Sequence, residues 1–352
     1  LFDMIIVISI LLVCKFFLRF AAEYTRRRSM KALIIYYTQS GNTLAIAKHI
    51  AEGMRQAGAK VTGCLVKDAN YEMLKDYDLI GFGSPVWKAD TPNMHHFIDK
   101  MPMQNGTHCF AFNTHGTLPH LYFPIVIPNL RNHGLLPIGY KGWYGDVYLP
   151  GMPKPYYTAG HPDDVDFAEA RAFGKEMVEN SQKIHDGDDS LIYPDPEMNE
   201  KVQLQAMICS NMLLCPTNPQ GAFYRDPELC RYPKCHVCMD NCMMGYIDLS
   251  QDPPRFGNRG FQCDDCHECS YCFMICPFGA IKVSDPEHFE RDKHVRHLQF
   301  EKMLDEDEAT GEFRRLIPLE KVGFGNPYIF WHPERPYMKV PKKDNGKLEL
   351  DE

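Results

Sequence analysis

Fourteen cysteines run through this chain, and nine of them lie between Cys230 and Cys276. The densest stretch reads QCDDCHECSYCFMICPFGAI, residues 262 to 281. Within it Cys266, Cys269, Cys272 and Cys276-Pro277 form a C-x2-C-x2-C-x3-C-P run, the spacing that holds a 4Fe–4S cubane. Three thiolates two residues apart can wrap one cluster in a tight turn, while the fourth, further along, reaches a second cluster. Soft thiolates also suit zinc, but zinc ligands usually come as two separated pairs, and a terminal Cys-Pro followed by Phe-Gly-Ala-Ile is not that pattern.

A second cluster needs its own run, and CRYPKCHVCMDNCMMGYI at 230 to 247 supplies most of one. Cys235, Cys238 and Cys242 repeat the last three positions, but Tyr232 stands where the first cysteine is expected. The pattern then divides the thiols into Cys235, Cys238 and Cys276 for one cluster and Cys242, Cys266, Cys269 and Cys272 for the other. The missing eighth ligand is expected to be Cys230, two residues from the vacancy, since a slightly longer loop costs little to close. Cys263, Cys209 and Cys215 are the alternatives, and a three-thiolate cluster is another. On this reading Cys263 is a surplus thiol beside the downstream cluster.

At 352 residues the chain is long enough for two modest domains. A formal net charge of -8 with no basic face argues against nucleic acid as a partner. Cysteines at cluster spacing, rather than scattered in pairs, imply metal sites in a reducing compartment instead of disulfides. Residues 1–28 differ in kind: an apolar run from Met4 to Phe20, carrying Lys15 and Arg19, ends at Arg26-Arg27-Arg28. That length just spans a bilayer, and basic residues on its C-terminal side place the α/β region on the cytoplasmic face. An interfacial or buried helix is the alternative.

The elements that must position these groups begin at Lys31. Short apolar runs at 32–37, 60–66, 78–84, 108–114 and 135–143 alternate with helical periods at 43–58, 92–101, 121–134 and 163–184. This alternation predicts a doubly wound α/β domain with a five-stranded parallel sheet, whose ligands sit beyond the strands' carboxyl ends. Three loops emerge there. Thr38, Gln39, Ser40, Gly41, Asn42 and Thr43 open the first helix and can cradle a phosphate on hydroxyls and helix N-terminal amides. No G-K-[ST] comes after it and no G-x-G-x-x-G is present, so this is neither a nucleotide-triphosphate loop nor a dinucleotide turn. Gly83-Ser84-Pro85-Val86-Trp87 and Asn113-Thr114-His115-Gly116 suit a flat aromatic cofactor, with Trp87 stacking and loop amides meeting its polar edge. Trp87 as a packing residue and His115 as a loop brace are the plainer alternatives. His95 and His96, about 100° apart on a helix, read as surface residues.

T-Q-S-G-N-T, G-S-P-V-W and N-T-H-G look like the phosphate loop and the two flavin-flanking loops of flavodoxins. With the two cysteine runs, residues 31 to 285 resemble the flavodoxin–ferredoxin fusion family of iron–sulfur flavoproteins. The resemblance implies a flavodoxin-like sheet domain at 30–187, a linker at 188–228 and a small bacterial-type two-cluster ferredoxin domain at 229–285. It also implies FMN rather than FAD, and electron transfer between FMN and two 4Fe–4S clusters. Tyr232 in place of an expected ligand, the Gly/Pro/Tyr-rich excursion at 143–162 and the added anchor depart from that family, and an extended arm is expected at 286–352. No nucleophile–base pair stands out in the loops. The expected function is therefore a membrane-anchored electron-transfer flavoprotein, one subunit of a larger redox complex or the partner of a soluble electron carrier. The alternatives are a self-contained flavin reductase acting on a quinone or small molecule, and a structural anchor subunit.

Overall fold

The structure, a computed structural model, describes residues 29–87, 89–117, 119–147, 155–214, 223–256, 266, 269–284 and 301–323, with the side chains of 208–214 left aside. Strands β1 (Lys31–Tyr36), β2 (Lys60–Leu65), β3 (Leu79–Pro85), β4 (His108–His115) and β5 (Leu136–Tyr144) form one sheet in the order β2-β1-β3-β4-β5. All four pairings are parallel. This is the flavodoxin-like order, which reverses direction between β1 and β3 and leaves a crevice at their carboxyl ends. The five expected strands are all present.

Parallel strands buried on both faces must be apolar at every position, and β1 shows how the two faces divide. Ala32, Ile34 and Tyr36 enter one core with helices α1 (Asn42–Gln56) and α4 (Asp164–His185). Leu33, Ile35 and Tyr37 enter the other with α2 (Pro92–Asp99) and α3 (Tyr122–Asn132). Glycine has a packing role in β3. A Cβ on Gly81 would lie 2.3 Å from the Phe110 ring, and one on Gly83 would lie 2.0 Å from Phe112. The bare backbone of β3 is what lets the two β4 rings lie across it.

A smaller unit comes next. Strand β6 (Phe223–Arg225) pairs antiparallel with β7 (Ile281–Val283), and between them stand the short helices α6 (Val237–Asp240) and α7 (Tyr271–Ile275). Phe223, Phe273, Met274, Ile281 and Val283 make its core, with Cys238, Cys272 and Cys276 packed against it.

Three sequence expectations meet this structure differently. The stretch 188–228, read as an irregular linker, contains helix α5 (Glu200–Leu214) and strand β6. Helix α5 is held by Val202 packing on Leu121 and by the buried Gln205 side chain accepting from the His120 amide at 2.7 Å. Strand β6 is defined by a partner strand far along the chain, so neither element leaves a strong local period. Among the described residues no helix is long and apolar enough to cross a membrane, and the expected span at 1–28 lies outside them. Part of the 143–162 excursion, residues 148–154, also lies outside. Its remainder packs under the C-terminal segment, where Tyr156 and Tyr157 share a core with Leu304, Phe313 and Val322.

Candidate functional site

The loop after β1 turns on Gly41, whose φ of 98° is open to glycine and costly for other residues. The Gly41 amide donates to Thr38 Oγ1 at 3.1 Å, which folds the loop back before α1 begins. Among the described residues no side chain caps the first turn of α1, and no acidic residue sits in it. The space a Gly41 Cβ would point into is clear to 4 Å. Uncapped amides, an open approach and no negative side chain together fit an anion such as a phosphate.

The loop's side chains are partly committed to holding neighbouring loops. The buried Thr43 Oγ1 lies 2.8 Å from Thr114 Oγ1, which ties the first loop to the end of β4. Asn42 Nδ2 donates to the Asp146 carbonyl at 2.9 Å. Gln39 Oε1 accepts from the indole of the half-buried Trp87 at 3.1 Å, and Val86 N donates to the Thr114 carbonyl at 3.0 Å. Ser84 is turned inward: its hydroxyl is fully buried, 3.1 Å from Tyr122 Oη. Ser40 and Pro85 are half-buried beside these bonds.

Asn113 is the clearest sign of ligand binding at the third loop. It is fully buried, yet neither its side-chain oxygen nor its nitrogen has a hydrogen-bond partner among the described residues. An amide with neither end satisfied carries a desolvation cost of about 1–3 kcal/mol per group, which a bound molecule with both donors and acceptors would offset. The edge of a flavin ring has both. Gly142, opposite, leaves that room, since a Cβ there would sit 2.7 Å from Asn113 Oδ1. Burial pushes the neighbouring His115 down to about 3, so its imidazole is neutral, and it meets Tyr144 edge-on at 4.4 Å. Gly116 has no room for a side chain, as a Cβ would press on Val147 at 2.4 Å.

The cysteines fall into two groups. Cys230, Cys235, Cys238 and Cys276 line one cavity together with Val237, Phe256, Pro277 and Ile281. Burial pushes the Cys238 thiol up to about 12, reinforced by Cys276, Cys230 and Cys235. Cys272, pushed well above the usual thiol range by burial, feels Cys269, Cys266, Cys238 and Cys242 in turn. Cys269 is likewise pushed up to about 12 by burial, with Cys242 and Cys266 adding to it. Clustered, buried thiols are unfavourable as free thiolates and favourable as ligands, because a bound metal centre reverses the repulsion. Cys230 lies with the upstream group, and Tyr232 does not line the cavity. Cys209, Cys215 and Cys263 lie outside the described side chains.

The two sites adjoin. Besides accepting from Trp87, Gln39 donates through Nε2 to the Cys269 carbonyl at 3.4 Å. Met243, next to Cys242, packs against the sheet core that holds Tyr37. Sequence reasoning placed Gln39 in the phosphate loop but not at this junction, and it passed over Tyr37 and Asp146. The only local signal for Tyr37 was its strand period, shared with Leu33 and Ile35. His95, taken as a surface residue, is half-exposed and lies 3.1 Å from Asp90 and 3.3 Å from Asp99.

The Flavodoxin family profile matches residues 34–120. An NAD(P)H dehydrogenase (quinone) of Archaeoglobus fulgidus is 26% identical over 190 residues, covering 44% of this chain and 98% of that protein. An uncharacterised ferredoxin of Methanocaldococcus jannaschii is 36% identical over 62 residues, 18% of this chain and 92% of that protein. Among solved structures, a flavodoxin from the domain Archaea aligns with a TM-score of 0.35 and 22% identity, over 44% of this chain and 99% of that one.

Proposed function

We propose that this chain, whose residues 34–120 match the Flavodoxin family profile, is an electron-transfer flavoprotein binding FMN at the sheet's carboxyl edge and two 4Fe–4S clusters on its grouped thiols. FMN, when bound, exchanges one or two electrons and each cluster exchanges one. The protein's part is to hold, orient and shield. The 38–43 loop takes the phosphate on the α1 amides, and the Thr43–Thr114 contact fixes the spacing of two flanking loops. Gln39 holds the Trp87 indole in place, and Asn113 meets the ring edge with its unpaired amide. Cys242, Cys266, Cys269 and Cys272 hold the nearer cluster; Cys230, Cys235, Cys238 and Cys276 hold the further one. The observation that carries this reading is Gln39, whose single side chain touches both the Trp87 loop and the Cys269 loop.

The apolar run Met4–Phe20 and the basic triplet Arg26–Arg28 support attachment to the cytoplasmic face of a membrane, beside other redox subunits or a soluble carrier. The similarity to a quinone dehydrogenase favours a second reading, in which the same flavin reduces a quinone directly.

The test is anaerobic purification of the full chain with detergent, then absorbance, cofactor release and metal analysis. The expected result is FMN with about eight irons per chain. Recovery of FAD, of no flavin, or of zinc in place of iron overturns the reading. Quinone reduction by the isolated chain, without another protein, would select the second reading.

A further inference from the structure

Gln39 lies inside the loop that opens α1, beside Thr38, whose hydroxyl accepts from the Gly41 amide. Its side-chain amide bonds to two segments far along the chain. Oε1 accepts from the Trp87 indole at 3.1 Å, and Nε2 donates to the Cys269 carbonyl at 3.4 Å. One planar group thus joins the proposed phosphate loop, the loop after β3 and the loop of the nearer thiols. The same two units meet again at Met243, which follows Cys242 and packs against the core that contains Leu33, Ile35 and Phe82.

The Cys269 end of this bridge is a strained turn. Ser270, the next residue, has a φ of 63°, and among the described residues it is the only one besides glycine with a positive φ. It is buried, and its carbonyl accepts from the Met274 amide at 3.0 Å as α7 begins. A serine keeps that conformation where its surroundings fix it. α7 supplies one restraint on the turn and Gln39 a second. The third is closure of Cys266, Cys269 and Cys272 around a shared centre, since binding a metal also orders the segment that holds it.

Restraints on one turn reinforce each other. We propose that Gln39 couples FMN binding to occupancy of the nearer thiol centre, so that the chain holds its flavin more tightly once Cys242, Cys266, Cys269 and Cys272 hold their metal. This inference rests on the FMN and thiol-centre reading above. With the centre in place, the Cys269 carbonyl is fixed, the Gln39 amide is fixed on it, and the 38–43 loop and the Trp87 indole are set before the flavin arrives. The ordering cost of those two loops is then already met, which strengthens binding without any new contact to the ligand. Linkage makes the effect reciprocal, so bound flavin also favours the filled centre. Gln39 is a positioning residue in this scheme, and its consequence is that flavin is retained best by chains whose electron route is complete.

The experiment measures the FMN dissociation constant of the full chain by flavin fluorescence, anaerobically, before and after a chelator removes its metal. It compares the parent with Gln39→Leu and Gln39→Glu. Leucine removes both bonds, whereas glutamate keeps an acceptor for the Trp87 indole but has no N–H for the Cys269 carbonyl. In the parent, metal removal should weaken FMN binding by about five- to tenfold, a modest coupling between two sites. In both variants the metal-loaded and metal-free constants should agree within about twofold, whatever their absolute values. Equal constants in the parent overturn the inference while leaving the electron-transfer reading intact. A parent-sized difference that survives in either variant also overturns it, because the coupling then runs through other contacts. A parent chain that binds no FMN, or holds no metal, overturns the electron-transfer reading itself and this inference with it.

Discussion

The position of Cys230 turns on a two-residue displacement. Spacing alone pointed to position 232, which is tyrosine, and the chain places Cys230 on the cavity shared with Cys235, Cys238 and Cys276. The loop that achieves this is short and locally braced: Cys230 N donates to the Asp226 carbonyl at 3.1 Å, and Cys235 N to the Arg231 carbonyl at 3.0 Å. Cys230→Ser should therefore lower iron content toward about seven per chain, or convert one centre to a three-iron form. Low-temperature spin spectra with iron analysis check this. Full iron and unaltered spectra in that variant would return the eighth ligand to Cys263 or another thiol. Other residues were less legible. The run TQSGNT shows a hydroxyl-rich loop, but not that Thr43 spends its hydroxyl on Thr114 or that Gln39 reaches Cys269. Those partners come from other parts of the chain, and no local pattern encodes them.

Among elements, α1 carries the most weight, because its N-terminus is the proposed anion cradle and its body must lie close to α4. Two glycines set that approach. A Cβ on Gly53 would sit 1.9 Å from the Arg171 carbonyl oxygen, and one on Gly174 would sit 2.1 Å from that of Ile50. The helices cross backbone to backbone, with Ile46, Ile50 and Met54 meeting Ala170, Phe173 and Met177 around the contact. Alanine normally favours a helix over glycine by about 1 kcal/mol, but here the methyl must push the helices apart. Gly174→Ala should destabilise the domain by about 1–3 kcal/mol, read as a lower urea midpoint at unchanged slope. A neutral or stabilising result would show that the helices can separate freely. The helical period of both segments was plain in the sequence. The identity of the glycine contact was not, since each helix tolerates glycine for several unrelated reasons.

At the scale of the whole molecule, the C-terminal segment 301–323 closes over the excursion that leaves β5. Tyr144 donates to the buried Asp307 at 3.0 Å, and Lys201 bonds the same carboxylate at 2.8 Å. Arg314 pairs with Asp163 at 2.6 and 2.8 Å. His161 lies at the centre, with Nδ1 2.6 Å from Asp166 and Nε2 2.7 Å from the Arg314 carbonyl. Both ring nitrogens face acceptors, an arrangement that suits the protonated ring. Burial alone would lower the His161 pKa, but the Asp166 carboxylate and the Arg314 carbonyl outweigh it, and the net shift is upward. The stabilisation is therefore fully present below about pH 6.5, the ordinary histidine value, and is lost as pH rises through the raised folded value. Thermal denaturation across that range should show the full chain losing stability with rising pH, and His161→Gln should lack that step. Identical profiles for the two proteins would remove His161 from the latch.

What the sequence determined by itself was whatever is written in short range. Strand runs, helical periods, the loop after β1 and the thiol spacing are local patterns, enforced by backbone geometry over a few residues, and they sufficed for a five-stranded parallel sheet and two groups of cysteines. What tertiary structure alone decided was every contact between distant segments. The β6–β7 pairing turned part of an expected linker into a strand. Gln39 was brought to Cys269, and Tyr156 and Tyr157 were brought beneath Phe313. Such contacts depend on which surfaces remain unburied once the sheet has formed. That is a property of the assembled core, and no single stretch of sequence carries it.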